Sequence, residues 1–148
     1  MFETKGQWEG TMSKYEEAVT TIAHDGYLVE ALEQLGYTPE VHKNGAALVG
    51  YRGDERPEQA HIIIRREQLD SASNDIGFVR DTSGRYRAVV SDYDRAIGFD
   101  QAWLGRVSQA YKERQTLAVA KARGYVLQSR SVVQTPQGSK VQLRFAVR

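Results

Sequence analysis

Three isoleucines in a row, Ile62, Ile63 and Ile64, set the strongest constraint on this chain. Their β-branched side chains lose rotamer freedom in a helix and suit a pleated strand. Consecutive strand residues point to opposite faces, so an unbroken apolar run predicts a strand covered on both sides. Ala60–Arg65 is therefore expected as a central strand, and the rest of the chain must supply the sheet around it and the layers that cover it.

The flanking segments provide candidates. Val19, Thr20, Thr21 and Ile22 form a β-branched cluster that predicts a first strand within 13–23. A helix should follow, with Asp25 as N-cap, Leu28, Ala31, Leu32 and Leu35 on one face, and Gly36 just beyond its end. Asn44-Gly45 favours a tight hairpin turn inside Val41–Arg52, with a strand on either side. Gly53–Glu58 is a charged turn. Asp75–Arg80 and Arg85–Ser91 flank Thr82-Ser83-Gly84 as a second hairpin, in which Tyr86, Ala88 and Val90 share one face. The longest helix is expected from about Asp100 to Arg123, with Gly105 as a weak point near its start. A third hairpin, Tyr125–Gln134 and Ser139–Arg148, closes the chain. In its last strand Val141, Leu143, Phe145 and Val147 alternate with polar and basic residues.

These elements predict an α+β fold: a mainly antiparallel, strongly curved sheet of six to eight strands with two helices packed on one face, in the order β-α-β-β-β-β-β-α-β-β. The other sheet face is expected to stay open. Residues 13–148 form a single domain, and 1–12 a flexible N-terminal extension. At 148 residues one core suffices. Gly36-Tyr37 and Gly124-Tyr125 each join a helix end to a strand, an echo that shared capping chemistry explains.

The absence of cysteine excludes disulfides, thiolate metal sites and cysteine nucleophiles. No apolar run reaches the ~18 residues of a membrane span, and the first residues lack the pattern of a secretory signal, so a cytoplasmic location is expected. Net charge is +1, from 20 basic and 19 acidic residues, which makes nucleic acid a weaker partner than a small anion. The balance is uneven locally: Tyr125–Arg148 holds Arg130, Lys140, Arg144 and Arg148 and no acid.

In order along the chain, Gly36-Tyr37, Gly50-Tyr51-Arg52-Gly53, Asp75-Ile76-Gly77-Phe78, Tyr86 and Asp92 within YRAVVSD, and Trp103 followed by Tyr111 form a set of short motifs. From about Met12 onward the chain resembles domain-of-unknown-function family 1257, which occurs in cyanobacteria, other bacteria, phages and as a plastid reading frame. The resemblance implies no activity, cofactor or catalytic residue. Residues 1–12 and the stretch Glu67–Asn74 depart from the family's pattern.

Candidate chemistry is sparse. His24, His42 and His61 lie on different expected elements without ligand spacing, so no metal is expected. Asp92 and Asp94 could hold Mg²⁺ only with a third oxygen donor, and otherwise end a strand. Ser83-Gly84 is a turn, with no nucleophile elbow in the chain. Glu67, Asp70, Asp75 and Asp81 are loop acids, GYRGD is a turn, and no phosphate-loop motif occurs. No catalytic residue and no cofactor are assigned, and an enzyme is the less favoured reading. The most informative set is arginine with tyrosine: Tyr51, Arg52, Arg65, Arg80, Arg85, Tyr86 and Arg87, with Arg66 and Tyr93 nearby. Guanidinium groups fork onto phosphate or carboxylate and aromatic rings stack on bases. Those seven residues are therefore the candidate ligand site of a non-enzymatic binding module for a nucleotide or other anionic small molecule. Alternating arginines also suit the wet face of a sheet. Lys140, Arg144 and Arg148 could add a basic edge to the same face. The alternatives are a protein-interaction or assembly subunit, homo-oligomeric or with a partner, acting through the open sheet face or a strand edge, and then nucleic-acid binding.

Overall fold

The computed structural model describes residues 13–147. The expected extension over 1–12 lies outside the described residues, as does Arg148. Among the described residues there are seven strands, β1 (Tyr15–Val19), β2 (Glu40–Val49), β3 (Glu55–Ile64), β4 (Ile76–Arg80), β5 (Tyr86–Ser91), β6 (Tyr125–Thr135) and β7 (Gly138–Val147). The helices are α1 (Asp25–Gln34), a short α2 (Asp92–Ala96) and α3 (Gln101–Ala122). The fold is α+β and antiparallel. Its strands divide into a five-stranded sheet, ordered β1-β5-β4-β3-β2, and a separate two-stranded sheet, β6-β7. No described helix is long and apolar enough to cross a membrane.

The isoleucine run does what its chemistry predicts. Ile62 and Ile64 join Ile76, Phe78, Tyr86, Ala88 and Val90 beneath α1 and α3, which add Leu28, Leu32, Trp103, Val107 and Tyr111 to the same core. Ile63 faces the other way, into a smaller cluster with Leu48, Ala60 and Val89. All three isoleucines are fully buried, each contributing roughly 1.5–3 kcal/mol relative to exposure.

The second face is closed, where an open one was expected. Leu48 lies over Gly77, and Arg56 of β3 reaches across to stack on Tyr15 of β1, 5.1 Å from the ring centre, and to donate to the Ser13 carbonyl at 2.8 Å. Two strands stand between β3 and β1 in the sheet, so this contact requires the end of the β2–β3 hairpin to curl over the face.

Four local expectations shift, each for a physical reason. Asn44-Gly45 makes no turn; β2 runs straight through it, and the positive φ of Gly45 (85°) absorbs a bulge between Val41 and Ala46. The turn falls instead at Tyr51-Arg52-Gly53, which turns one expected strand pair into a single strand. The N-cap of α1 is His24, whose Nδ1 accepts the Tyr27 amide, with Asp25 as the first helical residue. Thr20–Ala23 leave the sheet: the Thr20 hydroxyl donates to the Tyr86 carbonyl, and the Tyr86 amide donates to the Ile22 carbonyl.

Gly77 tests the curled packing. A Cβ there would lie 2.6 Å from Ala60 Cβ and 3.0 Å from Leu48 Cδ2. Gly77→Ala is expected to destabilise the chain by about 1–3 kcal/mol through overpacking, measured by urea denaturation. An unchanged midpoint would mean that Leu48 does not sit on this face.

Candidate functional site

The seven arginines and tyrosines singled out in the sequence do not line a common cavity. Tyr51 and Arg52 occupy the β2–β3 turn, where Arg52 Nε donates to the Tyr51 hydroxyl at 2.8 Å. Arg65, at the end of β3, is held by Glu40 (2.9 Å) and Asp75 (2.8 Å). Arg80 lies at the opposite end of β4, roughly 17 Å away at the rise of a strand, stacked on Tyr86 with its centre 5.0 Å from the ring. Arg87 is exposed and pairs with Glu17 and Asp81. Arg85 borders a shallow hollow against Leu104, Gly105 and Ser108 of α3. Each expected arginine except Arg85 already has a carboxylate or an aromatic partner among the described residues.

The histidines serve local structure. His42 pairs with Glu40 at 2.8 Å, His61 Nδ1 accepts the Arg80 amide, and His24 caps α1. Among the described residues, no group of three or more metal-binding side chains gathers.

A buried polar clasp centres on Asn74 and Asp75, and sequence patterns missed its role. Asp75 Oδ1 accepts the Arg66 amide at 2.7 Å, and Oδ2 accepts the Val49 amide at 2.7 Å and Arg65 Nη1 at 2.8 Å. Its carbonyl accepts the Tyr15 hydroxyl at 2.7 Å. Burial, aided by the Asp75 carboxylate, pushes the Tyr15 hydroxyl far above the usual tyrosine range. Asn74 takes the Tyr51 amide on Oδ1 and donates to Ser91 and to Asp94. Ser91 and Asp94 exchange hydrogen bonds in turn, hydroxyl to carboxylate and amide to Oγ, and so begin α2. Asp92 and Asp94 thus fall in the first turn of α2, directly after β5, with Ser91 as the cap. The clasp is sealed from solvent and joins β1, β2, β3, β5 and α2, which makes it structural.

A wide concavity lies elsewhere. A groove of about 930 Å³ runs between the outer side of α3 and the end of the β6–β7 hairpin. Its α3 wall includes Ala102, Gly105, Arg106, Gln109 and Lys112, and its other wall comprises the Gln137–Gly138 turn with Ser139, Lys140, Val141 and Leu143. The hollow beside Arg85 shares Gly105 and Ser108 with it. The hairpin rests on α3 through few ties: Arg130 grips Glu113 at 2.6 and 3.1 Å, and Gln109 Nε2 donates to the Ser139 carbonyl at 3.2 Å. Val126, Leu127, Val132 and Val147 remain exposed along it.

Charge concentrates on this part of the chain. From Gln101 to Arg148 there are nine basic residues and a single acid, Glu113, whereas residues 1–100 carry 18 acids and 11 bases. The signal was present in the sequence, but a window opened at Tyr125 captures only its second half. Glu113 is already neutralised by Arg130, and among the described residues no other acid stands against Arg106, Lys112 and Lys140 around the groove.

The Arg130 guanidinium holds the Glu113 carboxyl below the usual glutamate value, against the opposing effect of burial. A carboxylate with a lowered folded value stabilises the docked hairpin above its ordinary pKa, and that contribution is lost as pH falls through the lowered value. The Arg130 Nε–H resonance should therefore titrate with a midpoint below 4.5, the ordinary value for glutamate. A midpoint at or above that value would show that the pair does not hold the hairpin to α3.

The motifs that carried the family resemblance meet in space. Trp103 Nε1 donates to the Tyr37 hydroxyl at 3.2 Å, and the Tyr111 hydroxyl accepts the Ala23 and His24 amides that lead into α1. No curated protein and no solved structure matches the chain. The family described as protein of unknown function (DUF1257) matches residues 31–141. With that match running from α1 into β7, the chain belongs to the DUF1257 family.

Proposed function

We propose that this chain is a non-enzymatic interaction module, a protein-binding or assembly subunit that works through the α3–hairpin groove and the free strand edges beside it. The observation that carries this reading is Gly105. Glycine inside a helix costs about 1 kcal/mol relative to alanine, yet a Cβ added at Gly105 would meet no atom within 4 Å. Among the described residues, nothing in the packing demands glycine there. A surface that must approach the helix backbone does.

The hairpin supports the same reading. A two-stranded sheet alone is marginal in water, and among the described residues β6-β7 pairs with no other strand. Its outer edges present unpaired backbone groups and exposed valines, the features that β-strand addition uses. By contrast, a nucleotide held by the sheet arginines would have to displace the carboxylates that Arg65 and Arg87 already engage.

Tagged and purified from its native host, the chain should retain a stoichiometric protein partner that rebinds when both are pure. Gly105→Tyr fills the groove without touching the core and should weaken that rebinding at least about tenfold, roughly 1.4 kcal/mol. A stoichiometric small anion in place of a protein would overturn the proposal. So would a partner that tolerates Gly105→Tyr but is lost on Arg80→Ala.

A further inference from the structure

We infer that the occupant of the α3–hairpin groove is an acidic, extended polypeptide segment that adds to β7 as a third strand. The inference rests on the interaction reading above and names the partner's chemistry.

Strand geometry supplies the first argument. The groove's hairpin wall comes from the turn and β7, with no β6 residue in it, so the free edge of β7 borders the groove. The Ser139 carbonyl accepts Gln109 Nε2 and so points outward from the β6–β7 ladder. In an antiparallel pair, outward-pointing backbone groups recur at every second residue. Val141 and Leu143 stand in register with Ser139, opposite Val132 and Arg130, so their amides and carbonyls face the groove as well. From Ser139 to Leu143 this edge runs for roughly 14 Å at the rise of a strand.

Charge supplies the second argument. Arg106, Lys112 and Lys140 surround this edge, and Glu113, the single acid on the wall, is bound to Arg130. Arg85 extends the basic margin into the adjoining hollow. An incoming strand that alternates carboxylate with apolar side chains would set its acids on the Lys140 face of β7 and its apolar groups on the half-buried Val141 and Leu143, with Arg106 and Lys112 adding long-range attraction from the α3 wall. Among the described residues, the groove lining contains no aromatic side chain. Single-stranded nucleic acid relies on aromatic rings for stacking, so the lining favours polypeptide over nucleic acid although both are anionic.

The test uses the full chain and three fluorescent probes in fluorescence anisotropy at low salt: an eight-residue peptide alternating glutamate and valine, the same peptide with proline in place of valine, and an eight-residue oligothymidylate. The glutamate–valine peptide should bind, with affinity falling as salt is raised. The proline version keeps the charge but cannot complete the ladder, and it should bind at least about tenfold more weakly, as should the oligothymidylate. Lys112→Glu with Lys140→Glu should abolish binding of the first peptide. Gly105→Tyr, which leaves every charge in place, should abolish it too. No binding of the first peptide, equal binding of the proline peptide or the oligothymidylate, or indifference to either variant overturns the inference. If the peptide fails while a native partner is still lost on Gly105→Tyr, the partner's chemistry is wrong and the location of the site is right.

Discussion

One side chain, Asp75, holds together what the backbone alone would leave apart. Its two carboxylate oxygens tie the end of β2 to the start of the loop after β3, and its carbonyl anchors Tyr15 of β1. The sheet curls because these attachments draw the β2–β3 hairpin over its own second face. A buried carboxylate is tolerable only when amides and a guanidinium satisfy it, and here Arg65, Arg66 and Val49 do so. Asn74 extends the network to Ser91 and Asp94, so the loop from Arg66 to Asp75 positions four strands and a helix at once.

This arrangement divides the molecule into two energetic parts. The five-stranded sheet, α1 and the first half of α3 share a continuous core whose residues are nearly all excluded from solvent. The second half of α3 and the β6–β7 hairpin lack such a core; half-buried side chains, an ion pair and a side-chain-to-carbonyl hydrogen bond join them. The basic residues gather on the second part and the acids on the first. A body that is complete without its hairpin leaves the hairpin free to be completed by something else.

Much of the fold was legible because it follows from short-range physics. The isoleucine run required layers on both sides of its strand, and Tyr86, Ala88 and Val90 shared a face as a two-residue period demands. Gly36 closed α1 in the left-handed conformation at φ 101°. Asn44-Gly45 misled because positive φ serves a bulge as well as a turn, and only the pairing partner distinguishes them. The function was less legible. Arginine and tyrosine on strands resemble a pocket in one dimension, but strand register sends Arg65 and Arg80 to opposite ends of β4. In the sequence Asp75 reads as a loop acid, since nothing in its neighbours reveals that four segments converge on it. The charge bias after Gln101 and the solitary Gly105 were the legible traces of the groove, and neither acquires meaning until β7 is seen beside α3.

The central claim is that the Asp75 clasp and core form a stable body to which the β6–β7 hairpin is attached with little stability of its own. Hydrogen exchange resolved by residue tests it most directly. In the free chain, the amides of Val49, Arg66 and Ile76–Phe78 should exchange only with global unfolding. Those of Val126–Ala146 within the hairpin should exchange at least about a hundredfold faster, through local opening. Equal protection in the two regions would contradict the account, because the hairpin would then be part of the core.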